Sequence, residues 1–221
     1  MWISKEGDIR KQELLDTALQ LFSEKGYEGT SINDIIKKVG VTKGAFYYYF
    51  SSKEEVLNVL SEQQADILID ISRKTAANER LTALEKLNCI ASEAQRYRAA
   101  NMAQRLMALK AYQNESNIVL GIKIVEKTIQ KGAPIMQSII EQGVREGVFN
   151  TSFPKETAEL YINLSSIMSG SITQILLDSG KKPESIEKIR KLLLFYEDVF
   201  KRLLGIEKGS VNLVDAALKY F

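Results

Sequence analysis

Only three prolines, Pro134, Pro154 and Pro183, occur in 221 residues, and the stretches between turn residues repeat apolar positions at helical rather than alternating spacing. A chain patterned this way buries its apolar side chains by packing helices on one another, and no pair of alternating runs around a hairpin turn offers a sheet. The expected fold is all-α. A first helix is expected from about Asp8 to Lys25, with Leu15, Ala18, Leu19 and Phe22 on one face and Gly26 as its stop. Thr30 or Ser31 caps a short second helix that Gly40 ends, and Thr42 caps a third that runs through Tyr49. Ser51, followed three residues later by Glu54, reads as the capping box of a long fourth helix carrying Val56, Leu57, Leu60, Ile67, Leu68 and Ile71.

Beyond a break near Asn78, helices are expected around Leu81, Leu84, Leu87, Ile90 and Ala94, then around Met102, Leu106 and Leu109. Another begins near Asn117, is kinked or broken near Gly132 to Pro134, and ends at Gly147, because proline lacks the amide donor that a helix interior needs. Pro154 and Pro183 open two further helices separated by Gly180, and a short amphipathic helix closes the sequence from Val211 to Phe221. In the second of that pair, Ile186, Ile189, Leu193, Tyr196, Phe200 and Leu203 recur in a heptad pattern. The first offers Leu164, Met168, Ile172 and Ile175 among small residues that permit close approach. Spacing alone suits either a partner helix or the core of one chain.

Composition excludes whole classes of chemistry. The sequence has no histidine and one cysteine, Cys89, so it cannot build a Ser-His-Asp or Cys-His nucleophile, an imidazole metal site or a disulfide framework. Cys89 without an imidazole to activate it is expected to be a small buried residue in a reducing compartment. Phosphate-binding Gly-Lys-Ser/Thr loops, dinucleotide fingerprints, nucleophile elbows and paired metal-ligand spacings are absent; no metal, cofactor or enzymatic activity is expected. No apolar run precedes the charges of the amino terminus, and the uncharged stretch from Leu160 to Leu177 carries too many polar residues for a lipid-facing helix. A cytoplasmic protein with no membrane association is expected.

The segment from Ser31 to Phe50, SINDIIKKVGVTKGAFYYYF, is two short helices joined by a turn containing glycine, the pattern of a helix-turn-helix whose second helix enters the DNA major groove. At about 100° per residue Phe46 and Phe50 share one face, Gly44 and Tyr48 point the opposite way, and Tyr47 and Ala45 flank them. Gly44 permits close backbone approach, tyrosine hydroxyls can donate to phosphate, and Lys43 can reach a phosphate or a guanine edge. Thr42, Thr30 or Ser31 and the amino ends of helices add neutral phosphate anchors, and Lys53 adds a charge. The net charge of +2 conceals this: four lysines (Lys37, Lys38, Lys43, Lys53) and no acid lie between Ile35 and Lys53.

GVTKGAFYYYFSSKEEVL, preceded by FSEKGYEGTSINDI, resembles the amino-terminal DNA-binding domain of the tetracycline-repressor (TetR) family of bacterial transcriptional regulators, continuously from about Ile9 to Leu60. Downstream, IIEQGVREGVF followed by a proline-led apolar helix is similar to that family's approach to its dimerising helices. The resemblance implies a helix-turn-helix domain over residues 1–52 and a helical effector-binding and dimerisation domain over 53–221. It further implies a homodimer that binds a palindromic double-stranded DNA operator and releases it when a small ligand binds. Contacts to DNA would fall on Thr42, Lys43, Gly44, Ala45, Tyr47, Tyr48, Tyr49 and Lys53, with Thr30 or Ser31 at the second helix. The dimer would be a four-helix interface of residues 155–178 and 184–204, through Leu164, Met168, Ile172, Ile175, Ile189, Leu193, Tyr196 and Phe200. Two departures stand out: Tyr49 where many members have histidine, and Ile36 where a small alanine is usual.

Pocket walls are expected between Leu60 and Leu177, with Cys89, Tyr97, Met102, Met107, Tyr112 and Tyr161 as candidates for contact with an apolar or weakly polar effector. The rival to a DNA-binding regulator is a helical protein-interaction or adaptor module whose aromatic helix docks a partner protein.

Overall fold

The computed structural model describes residues 2–102 and 118–220, and every regular element among them is a helix. They are α1 (Trp2–Lys25), α2 (Ile32–Val39), α3 (Lys43–Tyr49), α4 (Lys53–Ala76), α5 (Ala83–Ala100), α6 (Ile118–Arg145), α7 (Pro154–Ser179), α8 (Pro183–Leu203) and α9 (Leu213–Leu218).

The ends of these helices follow from local chemistry. Ser31 caps α2 through a capping box: its hydroxyl accepts from the Asp34 amide at 3.1 Å, and the Asp34 carboxylate accepts from the Ser31 amide at 2.9 Å. Gly40 then takes φ +79° and donates its amide to the Ile36 carbonyl at 2.9 Å, a left-handed stop that only glycine adopts freely. The box at α4 is one residue later than the Ser51–Glu54 spacing predicts. Because the helix begins at Lys53, Ser52 is the cap, accepting from the Glu55 amide at 3.1 Å, while Glu55 accepts from the Ser51 amide at 2.7 Å. Pro154 and Pro183 each occupy the first turn of their helix, where the missing amide has no partner to lose. Of the two outcomes expected at Pro134, a break does not occur: α6 passes through it as one helix, with Pro134 exposed and buried residues on both sides, Ala133 and Met136.

Two compact units emerge, and the division between them falls inside α4, between Gln64 and Ala65, rather than after residue 52. The reason is packing. Val56, Leu57 and Leu60 complete the first core, with Leu14, Leu15, Ala18 and Phe22 of α1, Ile35 of α2, and Phe46 and Phe50. Residues 118–124 also belong to this unit; there the Lys123 ammonium donates to Glu54 and Asn58, each at 2.9 Å.

The second unit is centred on α6, α7 and α8, with α9 packed against α5 and α8. Ile139, Ile140, Phe149, Tyr161, Ile172, Ile189, Leu193 and Phe200 are all buried in its core, each contributing on the order of 1.5–3 kcal/mol of apolar burial. Of the heptad residues of α8, Ile189, Leu193, Tyr196 and Phe200 are thus buried, and Leu203 packs against them, within one chain. α7 is the one described helix long and apolar enough to cross a membrane, and it buries Ala158, Tyr161, Ile162, Met168, Ile172 and Leu176 against protein.

Candidate nucleic-acid interface and buried cavity

The helix-turn-helix is assembled from α2 and α3. Thr42 caps α3, its hydroxyl accepting from the Ala45 amide at 3.1 Å, and Phe46 anchors it at 0% exposure while Tyr48 on the opposite side is 81% exposed. Tyr47 is also exposed, with the Lys43 ammonium 5.9 Å from its ring centroid. A Cβ added to Gly44 would meet nothing closer than 4.0 Å: the glycine leaves bare backbone facing outward. Tyr49 is half-buried, its ring 4.9 Å from that of Tyr48 and its hydroxyl beside Gly7 of α1.

A groove of about 480 Å³ runs beside α3, lined by Gly40, Val41, Thr42, Ala45, Tyr48, Tyr49 and Arg10. Arg10 is absent from the sequence-derived set. It belongs to α1, far upstream in sequence, and nothing in its local pattern separates it from other solvated charges. Lys37 and Lys43 are exposed and carry no ion pair among the described residues, whereas Lys38 pairs with Glu24 at 3.4 Å.

Two residues expected on this face are turned away from it. Thr30 is 1% exposed, its hydroxyl directed at the Gly26 and Leu21 carbonyls at 2.8 and 3.1 Å. Lys53 is half-buried, its ammonium donating to the Tyr27 and Thr30 carbonyls at 2.6 and 3.0 Å and lying 4.1 Å from the Tyr27 ring centroid. Both tie down the loop between α1 and α2. Ser31 is exposed at the start of α2, and Ile36, one of the two departures, packs against the first core.

The second unit holds a partly open cavity of about 100 Å³ lined mainly by α4, α5, α6 and α7. Leu68, Ile69, Ile90, Met136, Ile162 and Met168 give it an apolar wall, and Gln95, Arg98, Tyr161 and Ser166 a polar one. Burial holds the Tyr161 phenol above the usual tyrosine range, opposed by the positive charge of Arg98, so Tyr161 is a neutral hydrogen-bond donor. Its ring stacks at 4.3 Å on Phe200.

Of the six pocket residues expected from sequence, Tyr161 lines this cavity and Cys89, Tyr97 and Met102 do not; Met107 and Tyr112 lie outside the described residues. Cys89 sits 3.9 Å from the Thr75 hydroxyl, and Met102 packs against the second core. Gln95 and Arg98 also line the cavity: with Leu87, Ala91 and Ala94 they occupy the face of α5 that a 3.6-residue period sends inward.

The residues expected at a partner seam pack largely within this chain. Met168, Ile172, Ile189, Leu193, Tyr196 and Phe200 are buried inside the chain, and Leu164 and Ile175 pack against the same core. The apolar residues that α7 and α8 leave exposed are Leu160, Ile167, Leu194 and Phe195. A heptad period defines a stripe without saying which of two neighbours covers it.

The fold and the outward face of α3 define a helix-turn-helix protein with an all-helical second unit. Residues 14–60 match the family of bacterial regulatory proteins, tetR family, and residues 100–171 match the tetracyclin repressor-like, C-terminal domain. The chain belongs to the TetR family of regulators. Among curated relatives, the biofilm operon icaADBC negative transcriptional regulator IcaR of Staphylococcus epidermidis is 42% identical over 60 residues, 27% of this chain and 32% of that one. The transposon Tn10 TetC protein of Escherichia coli is 44% identical over 78 residues, 34% of this chain and 39% of its own. The matches thus span about a third of these relatives' length. Two solved structures share the fold over most of the chain. The SmeT–triclosan complex has a TM-score of 0.66 at 17% identity, covering 91% of this chain and 93% of that one. A TetR-family transcriptional regulator from Pectobacterium atrosepticum has a TM-score of 0.57 at 22% identity, covering 90% and 96%.

Proposed function

We propose that this protein is a transcriptional repressor that binds a palindromic double-stranded DNA operator as a homodimer in the cytoplasm and releases it when a small molecule occupies the second unit. The observation that carries the DNA-binding reading is the face of α3. Tyr48 is 81% exposed beside a glycine with open space at its Cβ position, an exposed lysine and an exposed Tyr47, all held by a buried Phe46. Donors of this kind position a recognition helix on phosphates and base edges. Contacts are assigned to Ser31, Thr42, Lys43, Gly44, Ala45, Tyr47, Tyr48 and Tyr49, and Arg10 joins them from α1. Thr30 and Lys53 are left out of the interface and given the loop.

Two-fold symmetry in the operator calls for two-fold symmetry in the protein, with half-sites about one helical turn or a multiple apart. The exposed apolar residues of α7 and α8 are the surface assigned to that dimer. Release follows from a population shift: a ligand must bind the DNA-incompetent state more tightly than the competent one, by about 1–3 kcal/mol for a 5- to 150-fold effect. The cavity supports ligand control, as do structural neighbours solved as a triclosan complex and as a gamma-butyrolactone receptor.

Selection of bound fragments from random double-stranded DNA is the test. A palindromic consensus whose affinity falls steeply with salt is expected, because each neutralised phosphate contributes about 0.9 to the slope of log K against log salt. Recovery of no DNA, with capture of a partner protein by α3, would install the adaptor reading instead.

A further inference from the structure

The cavity in the second unit has a chemistry that the sequence pattern did not disclose. Its polar wall is unevenly satisfied. The Ser165 and Ser72 hydroxyls spend their hydrogens within their own helices, on the Tyr161 carbonyl at 2.8 Å and the Leu68 carbonyl at 3.0 Å. The side chains of Gln95, 8% exposed, and Tyr161, 6% exposed, have no hydrogen-bond partner among the described residues, yet both line the cavity. No side-chain nitrogen or oxygen among the described residues is both fully buried and unpaired, so the polar tips of Gln95 and Tyr161 are accessible from the cavity and can pair with what enters it. Arg98 lies one helical turn from Gln95 on α5 and places its positive charge close enough to Tyr161 to affect the phenol's titration. A cation, a neutral phenol donor and a carboxamide therefore line the same space as Leu68, Ile69, Ile90, Met136, Ile162 and Met168.

We infer that this cavity binds a small amphipathic acid, its carboxylate held by Arg98, Tyr161 and Gln95 and its hydrocarbon part against Ile69, Met136, Ile162 and Met168. The inference rests on the ligand-responsive reading above and narrows it, replacing an apolar or weakly polar effector with an anionic one. A carboxylate has two acceptor oxygens and suits a guanidinium fork with a hydroxyl and an amide beside it. The space of about 100 Å³ is smaller than the ~150 Å³ that takes benzene, which favours a short hydrocarbon chain on the carboxylate. Gly132 lets two apolar wall residues pack close to the α6 backbone: a Cβ there would lie 2.9 Å from the Ile69 and 3.0 Å from the Ile162 methyl tips.

Isothermal titration of the full chain with saturated monocarboxylates of two to six carbons, and with the alcohol and amine of each skeleton, tests the assignment. One or more acids should bind at least about tenfold more tightly than their alcohol and amine counterparts, as expected for a charge-assisted pair over a neutral contact. Arg98→Gln should remove that preference, and Tyr161→Phe, which keeps the ring on Phe200 and so keeps the fold, should weaken the acid alone. Equal binding of acid and alcohol, no binding of any acid, or an unchanged preference in both variants would overturn the proposal. Binding is read on the protein alone, so the two readings fail separately. Acid binding without effect on DNA affinity rejects ligand release and keeps the site. A chain that binds operator DNA and ignores every acid rejects the site.

Discussion

Replacing Lys53 separates a phosphate-binding lysine from a loop-binding one. Lys53→Met keeps the apolar stem and deletes the ammonium that donates to the Tyr27 and Thr30 carbonyls at 2.6 and 3.0 Å and lies 4.1 Å from the Tyr27 ring centroid. Hydrogen bonds to charged groups contribute about 1.5–3 kcal/mol each when shielded, and a surface cation–π contact about 0.5–1 kcal/mol. Because Lys53 is half-buried, water can re-solvate the carbonyls, and the net loss is set at about 2 kcal/mol. With a urea dependence of about 2 kcal/mol/M, the unfolding midpoint of the first unit should fall by about 1 M. The slope of log K for operator DNA against log salt should stay as in the parent protein. Lys43→Met is the counterpart, since Lys43 is exposed beside Tyr47. Its unfolding midpoint should not move, and its salt slope should shrink by about 0.9 per protomer, or about 1.8 for a dimer. A Lys53→Met protein with unchanged midpoint and reduced slope would refute the reasoning and return Lys53 to the DNA.

In the second core, a Cβ on Gly143 would lie 2.0–2.6 Å from ring atoms of the buried Phe149. Gly143→Ala should therefore cost about 1–3 kcal/mol by overpacking, read by chemical denaturation, with part of the loss recovered in Gly143→Ala/Phe149→Leu. Phe195 is exposed on α8 beside Leu194, so Phe195→Glu should shift sedimentation from dimer to monomer while helical circular dichroism is kept; an undisturbed dimer would place the interface elsewhere. Asp34 and Glu55 are held below their ordinary carboxylate range chiefly by hydroxyl donors, Ser31 and Ser51 respectively, and Glu85 chiefly by the Thr82 amide. A carboxylate whose pKa is lower folded than unfolded stabilises the protein above its unfolded pKa, near 4, and loses that contribution as pH falls through the folded value. Urea midpoints should thus be insensitive to these groups between pH 5 and pH 7 and fall below about pH 4, less so in Asp34→Asn.

Periodicity and capping chemistry made most of the helices legible, because both depend on residues within one or two turns of each other. The opposition of Phe46 and Tyr48 on α3 followed from a 100° rotation per residue and from nothing else. The displaced box at α4 shows the resolution of such reasoning: Ser51, Ser52, Glu54 and Glu55 offer two registers, and only the packing of Val56 and Leu57 selects one. The missing amide of Pro134 is a local fact that predicts a kink or a break, and the choice against a break comes from the helix continuing through it with buried side chains on both flanks.

The sequence by itself determined the all-helical fold, the helix-turn-helix, its outward face and the absence of imidazole chemistry, since each depends on residue identity or short-range spacing. Tertiary structure decided which partner satisfies a side chain that has more than one choice. It set the Lys53 ammonium and the Thr30 hydroxyl on backbone carbonyls, and placed most of the heptad stripe of α8 in the core of its own chain. It also brought Gln95 and Arg98 of α5 to Tyr161 of α7. The physical reason is range: helix formation is fixed over a few residues, whereas the pairing of a charge or the covering of an apolar stripe depends on groups distant along the chain, which only the packed fold brings together.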